Sequence, residues 1–465
     1  MLLILIITIG LYIHSKHIPF KKDLLTNWLY IYSIPWITKF NIHITLAIDD
    51  LSLIMIILTI IMGIIVILVA WNTNIKNIGA YYFHVLWMFS GAIGIFMAID
   101  LFLFFFSWEM MLIPMYFLII HWGFKAPQSS INIQIAIKFF IYTQISSLIL
   151  LISIFGLVFN YYQIHGIWSF AYEDFLNIQI PLFNQYILLL GFFISFAIKM
   201  PLIPFHGWLI TTQKYSPITG SLDILGILIK TAPYGLLRFT IPLFPEASNN
   251  IIPMIQCIGI ITIIYSSLLA FQQKNIKQLI SYSIISHMGF IIIGIYNHSL
   301  LSYHGVLIQI ISNTISGAAL IIISNELYKY TNTYNIFKIR GINTNIIWLP
   351  GLLLFFALAT LGIPGTSNFV GEYMIILSIF REYKTTGFLM LLGVITISIY
   401  ILRMLYIIYF GKSLLLNQTI FHSHTYTIYT LVFMAWLIII IGIYPQFLFD
   451  KTKDIFESLY NNMKI

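Results

Sequence analysis

The sequence predicts an all-α polytopic membrane protein with about 13 transmembrane helices. Three observations carry this expectation. Only 8% of the 465 residues are charged and 60% are hydrophobic, against roughly 25% charged in an average soluble domain, and the mean hydropathy is +0.94. The stretches 51–75, 77–99, 139–172, 175–198, 247–273, 278–325, 341–371 and 413–449 contain no Asp, Glu, Lys or Arg, and each can supply a span of roughly 20 residues. The apolar runs are continuous, whereas a membrane barrel needs alternation. A soluble enzyme of this length could not cover its surface with so few charges.

Taken in order, spans are expected near 1–15, 48–70, 79–98, 101–122, 133–158, 181–213, 219–241, 252–271, 278–297, 301–326, 347–380, 387–411 and 427–448. Residues 1–13 lack a basic leading segment and a small-residue cleavage site, so they read as structure and not as a signal peptide. The polar stretches 14–47, 159–180 and 327–346 read as loops, leaving one transmembrane domain over 1–465. The single cysteine, Cys257, excludes a disulfide framework and an iron–sulfur cluster, which needs about four thiolates. Lys21, Lys22, Lys274, Lys277, Lys338, Arg340 and Lys412 are too scattered for a nucleic-acid face. No glycine-rich dinucleotide motif or phosphate loop is present, and His287 with His304 makes a poor haem pair. The sequons at Asn297 and Asn417 are discounted.

Two spans look interrupted. Lys199-Met200-Pro201-Leu202-Ile203-Pro204 lies inside 181–213, and Gly362-Ile363-Pro364-Gly365-Thr366 lies inside 347–380. Proline removes a backbone donor and clashes with the preceding turn, and the freed carbonyls are tolerated only beside protein or a watery cavity. Each break is followed by a helix with a similar phrase, Tyr234-Gly-Leu-Leu-Arg238 and Tyr400-Ile-Leu-Arg403. Paired breaks in two halves suggest a repeated transporter architecture; coincidental proline kinks are the alternative.

Charges inside spans are costly and usually mark an ion path or a paired site. Glu109, Lys199 at the first break, Lys230 in mid-span and Glu372 after the second break form such a set. Burial disfavours the charged form of either group and a nearby opposite charge restores it. A Glu–Lys pair of changing separation is therefore a proton switch; static ion pairs holding helices together are the alternative. His287 is a candidate relay, or a satisfied core histidine. His206 follows the first break as relay or cap. Asp49, Asp50, Asp100, Asp223, Lys138 and Lys277 lie near span ends, where Lys138 can snorkel.

The run from Trp108 to Ile119 closely resembles one chain of proton-pumping NADH–quinone oxidoreductase, respiratory complex I, the antiporter-like chain 4. Similar matches are Ile137 to Thr143, Ala197 to Pro201, Lys230 with Tyr234 to Phe239, Ile276 to Gly289 and Gly362 to Glu372. The resemblance implies two inverted five-helix repeats, each with one discontinuous helix, here 79–241 and 252–411. It implies a proton path through Glu109, Lys199, Lys230, His287 and Glu372, driven by remote quinone reduction, with Asp100, Lys138, His206 and Asn313 as further candidate relays. It also implies membership of an NADH:ubiquinone reductase as a subunit without its own cofactor or metal. NADH, FMN, iron–sulfur clusters and ubiquinone would bind elsewhere in the complex. The partners would be other membrane-arm subunits, including neighbouring antiporter-like chains, and the lipid bilayer, with no nucleic acid.

The chain departs from the family pattern in places. The family usually has a span ahead of 1–13. Its histidine in the next span is Asn313 here, which can hold water but cannot take up a proton. A loop His and Glu are replaced by Gln213 and Tyr215, and the family's Asp-Gly is Asp49-Asp50, so no function is expected of those loop positions. A multisubunit cation/proton antiporter, a haem- or quinone-holding subunit and an inert anchor are the competing readings. Low Ala and Gly with abundant Ile, Asn, Tyr and Phe suggest a very AT-rich genome of the mitochondrial kind, so the expected location is the mitochondrial inner membrane; an AT-rich bacterium would look similar.

Overall fold

Residues 8, 10, 28–71, 73, 75–124, 129–176, 178–215, 224–341, 348–411 and 425–463 are described in a computed structural model. A β-hairpin, β1 (Tyr30–Ile37) and β2 (Ile42–Ile48), precedes α1 (Asp50–Trp71), α2 (Ile78–Met97), α3 (Leu101–Trp122) and α4 (Ser130–His165). A short α5 (Tyr172–Leu176) follows, then α6 (Leu182–Lys199), α7 (Gly207–Lys214) and α8 (Ile224–Gly235). The helix α8 runs on through a π-turn, Leu236–Thr240, and a last turn, Ile241–Leu243. After α9 (Pro245–Asn250) come α10 (Ile252–Gln272), α11 (Ile276–Ile295) and α12 (Leu300–Thr331). The chain continues with α13 (Leu349–Thr360), α14 (Ser367–Glu382), α15 (Lys384–Tyr409), α16 (Thr425–Ile443) and α17 (Gln446–Met463). Among the described residues ten helices are long and apolar enough to cross a membrane. With α6 of the first interrupted span already among them, these helices make a multi-pass membrane fold.

Local chemistry sets the boundaries. Asp49 and Ser52 cap α1 reciprocally: Ser52 N–H donates to Asp49 Oδ1 at 2.7 Å, and Asp49 N–H donates to Ser52 Oγ at 2.8 Å. Asp100 caps α3, accepting from the N–H groups of Phe102 and Leu103. Asn275 and Ser299 cap α11 and α12 in the same way. The first break runs from Met200 to His206, where Pro201 and Pro204 cannot continue the ladder. The second lies between α13 and α14, where Gly362 (φ +78°) and Gly365 (φ +95°) take the left-handed turn that lacks a Cβ penalty.

The core is built around α11 and α12. The apolar window of α12 is wholly buried and that of α11 is 94% buried, whereas α15 and α16 present most of theirs outward. Helices α10 and α11 cross closely because a Cβ on Gly289 would stand 2.7 Å from the Gly259 carbonyl oxygen. The two ends differ. The hairpin, α5, α9 and α17 gather at one end: Leu46 bridges Ala98, Asp100 bridges Ala171, and Asn249 reaches the Met463 carbonyl. At the other end Trp122 Nε1 donates to the Lys76 carbonyl, and Ile276 N–H donates to the Tyr334 carbonyl.

Several expectations need correction. The stretch 14–47 is not all loop, because 30–48 forms a hairpin whose Tyr30, Ile31, Tyr32, Ile34 and Trp36 are exposed. Helix α4 extends to His165 and α12 to Thr331, into stretches expected as loops, and 172–176 is helical. The last span ends at Ile443, and α17 is an amphipathic helix burying Leu448, Thr452, Ile455, Phe456 and Leu459. Asp223, Lys21, Lys22, Lys412, Asn417 and nearly all of 1–15 lie outside the described residues.

Candidate functional site

The expected set falls into two clusters, one per helix break, with Lys230 between them. At the first break α6 ends on Lys199, whose side chain is turned into the protein with 3% exposure. Its Nζ stands 3.6 Å from the centroid of the Trp108 ring. Glu109, next to Trp108 on α3, acts on Lys199 electrostatically. Yet no Glu109–Lys199 contact within ion-pair distance occurs among the described residues, and Glu109 Oε1 is buried without a hydrogen-bond partner. In this arrangement the ammonium rests on an indole face, which satisfies the cation without neutralising it. Trp108 is itself held by the rings of Phe104 and Phe196.

Beyond the break, His206 places its ring 5.9 Å from Tyr265 and 6.3 Å from Tyr282, with Nδ1 buried and unpartnered. Lys138 of α4 does not simply snorkel outward. A Cβ on Gly207, the first residue of α7, would stand 3.7 Å from both Lys138 Nζ and Tyr142 Oη. Lys138 therefore belongs to the first break.

Lys230 is 1% exposed on α8, with Nζ 3.7 Å from Met288 Sδ. It has no ion pair among the described residues. Met288 adjoins His287 on α11, so Lys230 abuts the second cluster. There His287 Nδ1 lies 2.9 Å from Glu372 Oε1. Gln309 of α12 donates from Nε2 to the same carboxylate oxygen at 3.1 Å and lies 3.3 Å from His287 Nδ1. The other carboxylate oxygen faces the break, 3.0 Å from where a Cβ on Gly362 would stand. Three helices and a helix break thus converge on one carboxylate.

Asn313 lies one turn along α12 from Gln309. Gln309 Oε1, Ser312 Oγ and Asn313 Nδ2 are all buried without a protein partner, and their spacing puts them on one face of the helix. Asn368 Oδ1 and Ser367 Oγ of α14 are in the same condition. On α15, Tyr400 Oη donates to Ser283 Oγ of α11 at 2.9 Å, and Glu372 acts on it electrostatically. Sequence reasoning singled out Tyr400 only as part of an echoed phrase and passed over Trp108, Met288 and Gln309. Polarity in an enclosed helix, or an aromatic next to an intramembrane charge, was the available signal.

Other candidates are placed elsewhere. Asp100 caps α3, and its Oδ2 accepts from His43 N–H at 3.5 Å. Burial pushes its carboxyl up while these three backbone donors oppose the shift. Asp49 is more than a loop residue: its Oδ2 meets Arg238 of the π-turn at 2.9 Å, with that guanidinium 4.0 Å over Trp28. Lys451 of α17 reaches Asp50 at 3.9 Å. His304 does not face His287; its ring packs 4.8 Å from Phe449 and 5.0 Å from Phe456.

A family profile described as NADH:quinone oxidoreductase/Mrp antiporter, TM, matches residues 98–400. NADH-quinone oxidoreductase subunit M of Escherichia coli K12 is 44% identical over 429 residues, spanning 92% of this chain and 84% of the relative. The subunit M of Buchnera aphidicola from Schizaphis graminum is 43% identical over 99% of this chain and 92% of its own length. Among solved structures, a chain of respiratory complex I from Thermus thermophilus with bound NADH superposes with TM-score 0.86 at 21% identity, covering 99% and 92% of the two chains. A chain of the Mrp complex from Dietzia sp. gives TM-score 0.80 at 17% identity, covering 97% of this chain and 48% of that one.

Proposed function

The chain belongs to the NADH:quinone oxidoreductase/Mrp antiporter transmembrane family, and from that premise we propose that it is the antiporter-like, proton-translocating subunit of a membrane-bound NADH-quinone oxidoreductase. The observation that carries the chemistry is the buried line from Trp108–Lys199 through Lys230 to His287–Gln309–Glu372. An intramembrane row of this kind has no structural need for so many ionisable groups, since apolar residues would pack as well.

In the first half, Lys199 holds its proton against Trp108 when Glu109 is near and hands it on when that charge withdraws. Lys230 receives it beside Met288, and His287 carries it to Glu372. Asn313 cannot bind the proton, so water held by Gln309, Ser312 and Asn313 serves that part of the path, as buried polar groups without protein partners favour. Lys138 and His206 supply the approach at the first break. Units 79–241 and 252–411 act as the two inverted repeats, each with its own break.

Among the described residues the end remote from the hairpin carries Lys76, Lys214, Lys274, Lys277, Lys329, Lys338, Arg340 and Arg403 with Glu326 beside them, while the hairpin end carries fewer cations, Lys39, Arg238, Arg381, Lys384, Lys451 and Lys453, mixed with Asp49, Asp50, Asp100, Glu173, Asp174, Glu246, Glu382, Asp450, Asp454 and Glu457. Positive residues stay on the cytoplasmic side, so the basic end faces the cytoplasm. The relatives at 40–44% identity are bacterial and lend no support to a mitochondrial location, so our reading is a bacterial cytoplasmic membrane. A single cysteine cannot supply the roughly four thiolates of an iron–sulfur cluster, and our reading leaves that cluster, FMN, NADH and quinone to other subunits.

The Mrp-type antiporter is the second reading, favoured by the shared family profile and fold. Gentle solubilisation, a native gel stained for NADH dehydrogenase and mass spectrometry of the bands separate the two. The chain is expected in a very large NADH-oxidising band. Its presence only in a smaller assembly without that activity would overturn the proposal in favour of the antiporter.

A further inference from the structure

At the basic end the fold builds a cavity that the proton path does not use. Its volume is about 650 Å³, and its walls include Lys214, Lys274, Gln278, Asn335, Phe124 and Tyr334. Lys214 ends α7, the second half of the first broken helix. Lys274 lies between α10 and α11, and Asn335 follows α12, so both halves of the chain contribute.

The walls are fixed before any ligand arrives. Ile276 N–H donates to the Tyr334 carbonyl at 3.0 Å, and Ile336 N–H to the Lys274 carbonyl at 2.9 Å, zipping two loops together. Phe124 N–H donates to the Tyr215 carbonyl at 2.8 Å, which fastens the end of α7. Beneath lie the stacked rings of Tyr328 and Tyr334, 4.5 Å apart, with Phe124 edge-on to both. The buried ammonium of Lys277 stands 4.3 Å over Tyr334. Among the described lining residues there are two lysines and six side-chain amides but no carboxylate.

Fixed amide donors and cations around a concavity suit an anion with several oxygens, and lysine is a point-charge partner for phosphate. Basic pockets at the cytoplasmic ends of membrane helices accept phospholipid headgroups. Inorganic phosphate has the same chemistry, but the cavity borders the outer face of α10, where Leu268 is 54% and Phe271 42% exposed. Acyl chains have a track there that a free ion would not need. We propose that this cavity binds the phosphate headgroup of an anionic phospholipid whose chains lie along Leu268 and Phe271. By joining Lys214 to the α10–α11 loop, the bound lipid clamps α7, one half of the broken helix that carries Lys199. This inference holds whichever complex the chain serves.

The test uses the whole complex in nanodiscs of phosphatidylcholine containing a trace of photoactivatable phosphatidic acid or photoactivatable phosphatidylcholine, followed by peptide mapping. The phosphatidic acid probe is expected to label peptides within 265–278, and the phosphatidylcholine probe is not. Each lysine near a surface anion contributes about fivefold in affinity. Lys274→Gln is therefore expected to cut labelling about fivefold, and Lys214→Gln with Lys274→Gln roughly 30-fold. The exposed Lys274→Gln variant alone decides the matter if the double variant fails to assemble. Equal labelling by both probes, or unchanged labelling in Lys274→Gln, would overturn the site. Loss of labelling on adding inorganic phosphate at unchanged ionic strength would reassign it to the free ion.

Discussion

The contact between Lys199 and Trp108 yields the sharpest prediction. The ammonium is 3.6 Å from the ring centroid and out of water, the setting in which a cation–π contact reaches about 2 kcal/mol or more. Glu109 makes no ion pair with Lys199 in this arrangement and acts on it only from a distance, so the indole is the direct contact that keeps Lys199 loaded until the carboxylate withdraws. Replacing Trp108 by Leu removes that term and, at about 1.4 kcal/mol per tenfold, should slow proton delivery through Lys199 roughly 30-fold. Trp108→Phe keeps a weaker ring and should fall between. Trp108 is also a core residue packed on Phe104 and Phe196, and truncating a buried Trp costs about 3–5 kcal/mol, so some loss of assembled complex is expected. The assay is NADH-driven acidification of inverted membrane vesicles, normalised to assembled complex on a native gel. Wild-type pumping per assembled complex in Trp108→Leu would refute the role of the ring.

The other predictions can be taken together. Glu372→Gln keeps the shape but removes the charge shared by His287 and Gln309; a charge-assisted bond contributes about 1.5–3 kcal/mol, so vesicle acidification should drop at least tenfold with assembly intact on the native gel. Glu109→Gln should likewise leave assembly unchanged and depress pumping, and normal coupled activity would count against the switch. Asp49→Asn strands the Arg238 guanidinium, and breaking a buried pair costs about 3–5 kcal/mol; thermal unfolding in detergent should show a lower midpoint, partly restored by adding Arg238→Gln. His298, in the loop before α12, is held by burial down to about 4. The folded state then binds fewer protons than the unfolded one, so stability is lost as pH falls from about 6.5 towards 4, and His298→Gln should flatten that part of the melting curve.

How far the sequence disclosed this arrangement depends on the kind of signal. The breaks were legible because Pro201, Pro204, Gly362 and Pro364 act locally, on the chain that carries them. Lys199, Lys230, His287 and Glu372 were legible because charge in an apolar span is rare. Trp108 was not, since one more aromatic among 17% aromatic residues carries no mark of the ammonium above it. Gln309 was missed for the opposite reason: an amide in a hydrophobic run is a weak signal until a second helix brings Glu372 to it. The hairpin escaped because 30–48 follows a polar segment and its exposed Tyr, Ile and Trp do not alternate cleanly with polar residues. Helix α17 escaped because its apolar face is evident only at helical spacing, after the hydrophobic run has ended.

The enclosure of α12 bears on how the protein is made. Its apolar window is entirely covered by neighbouring helices, yet the same segment has a hydropathy of 2.1, as though it faced oil. A nascent chain leaves the insertion machinery one segment or pair at a time, so α12 meets lipid before α13, α14 and α16 exist to cover it. Its isoleucines satisfy that early solvent, and Gln309, Asn313 and Glu326 are the polar load it can carry through. The number of proton-handling groups on this helix is therefore limited during biogenesis, by what can be inserted, and not only by what the finished conduit could use.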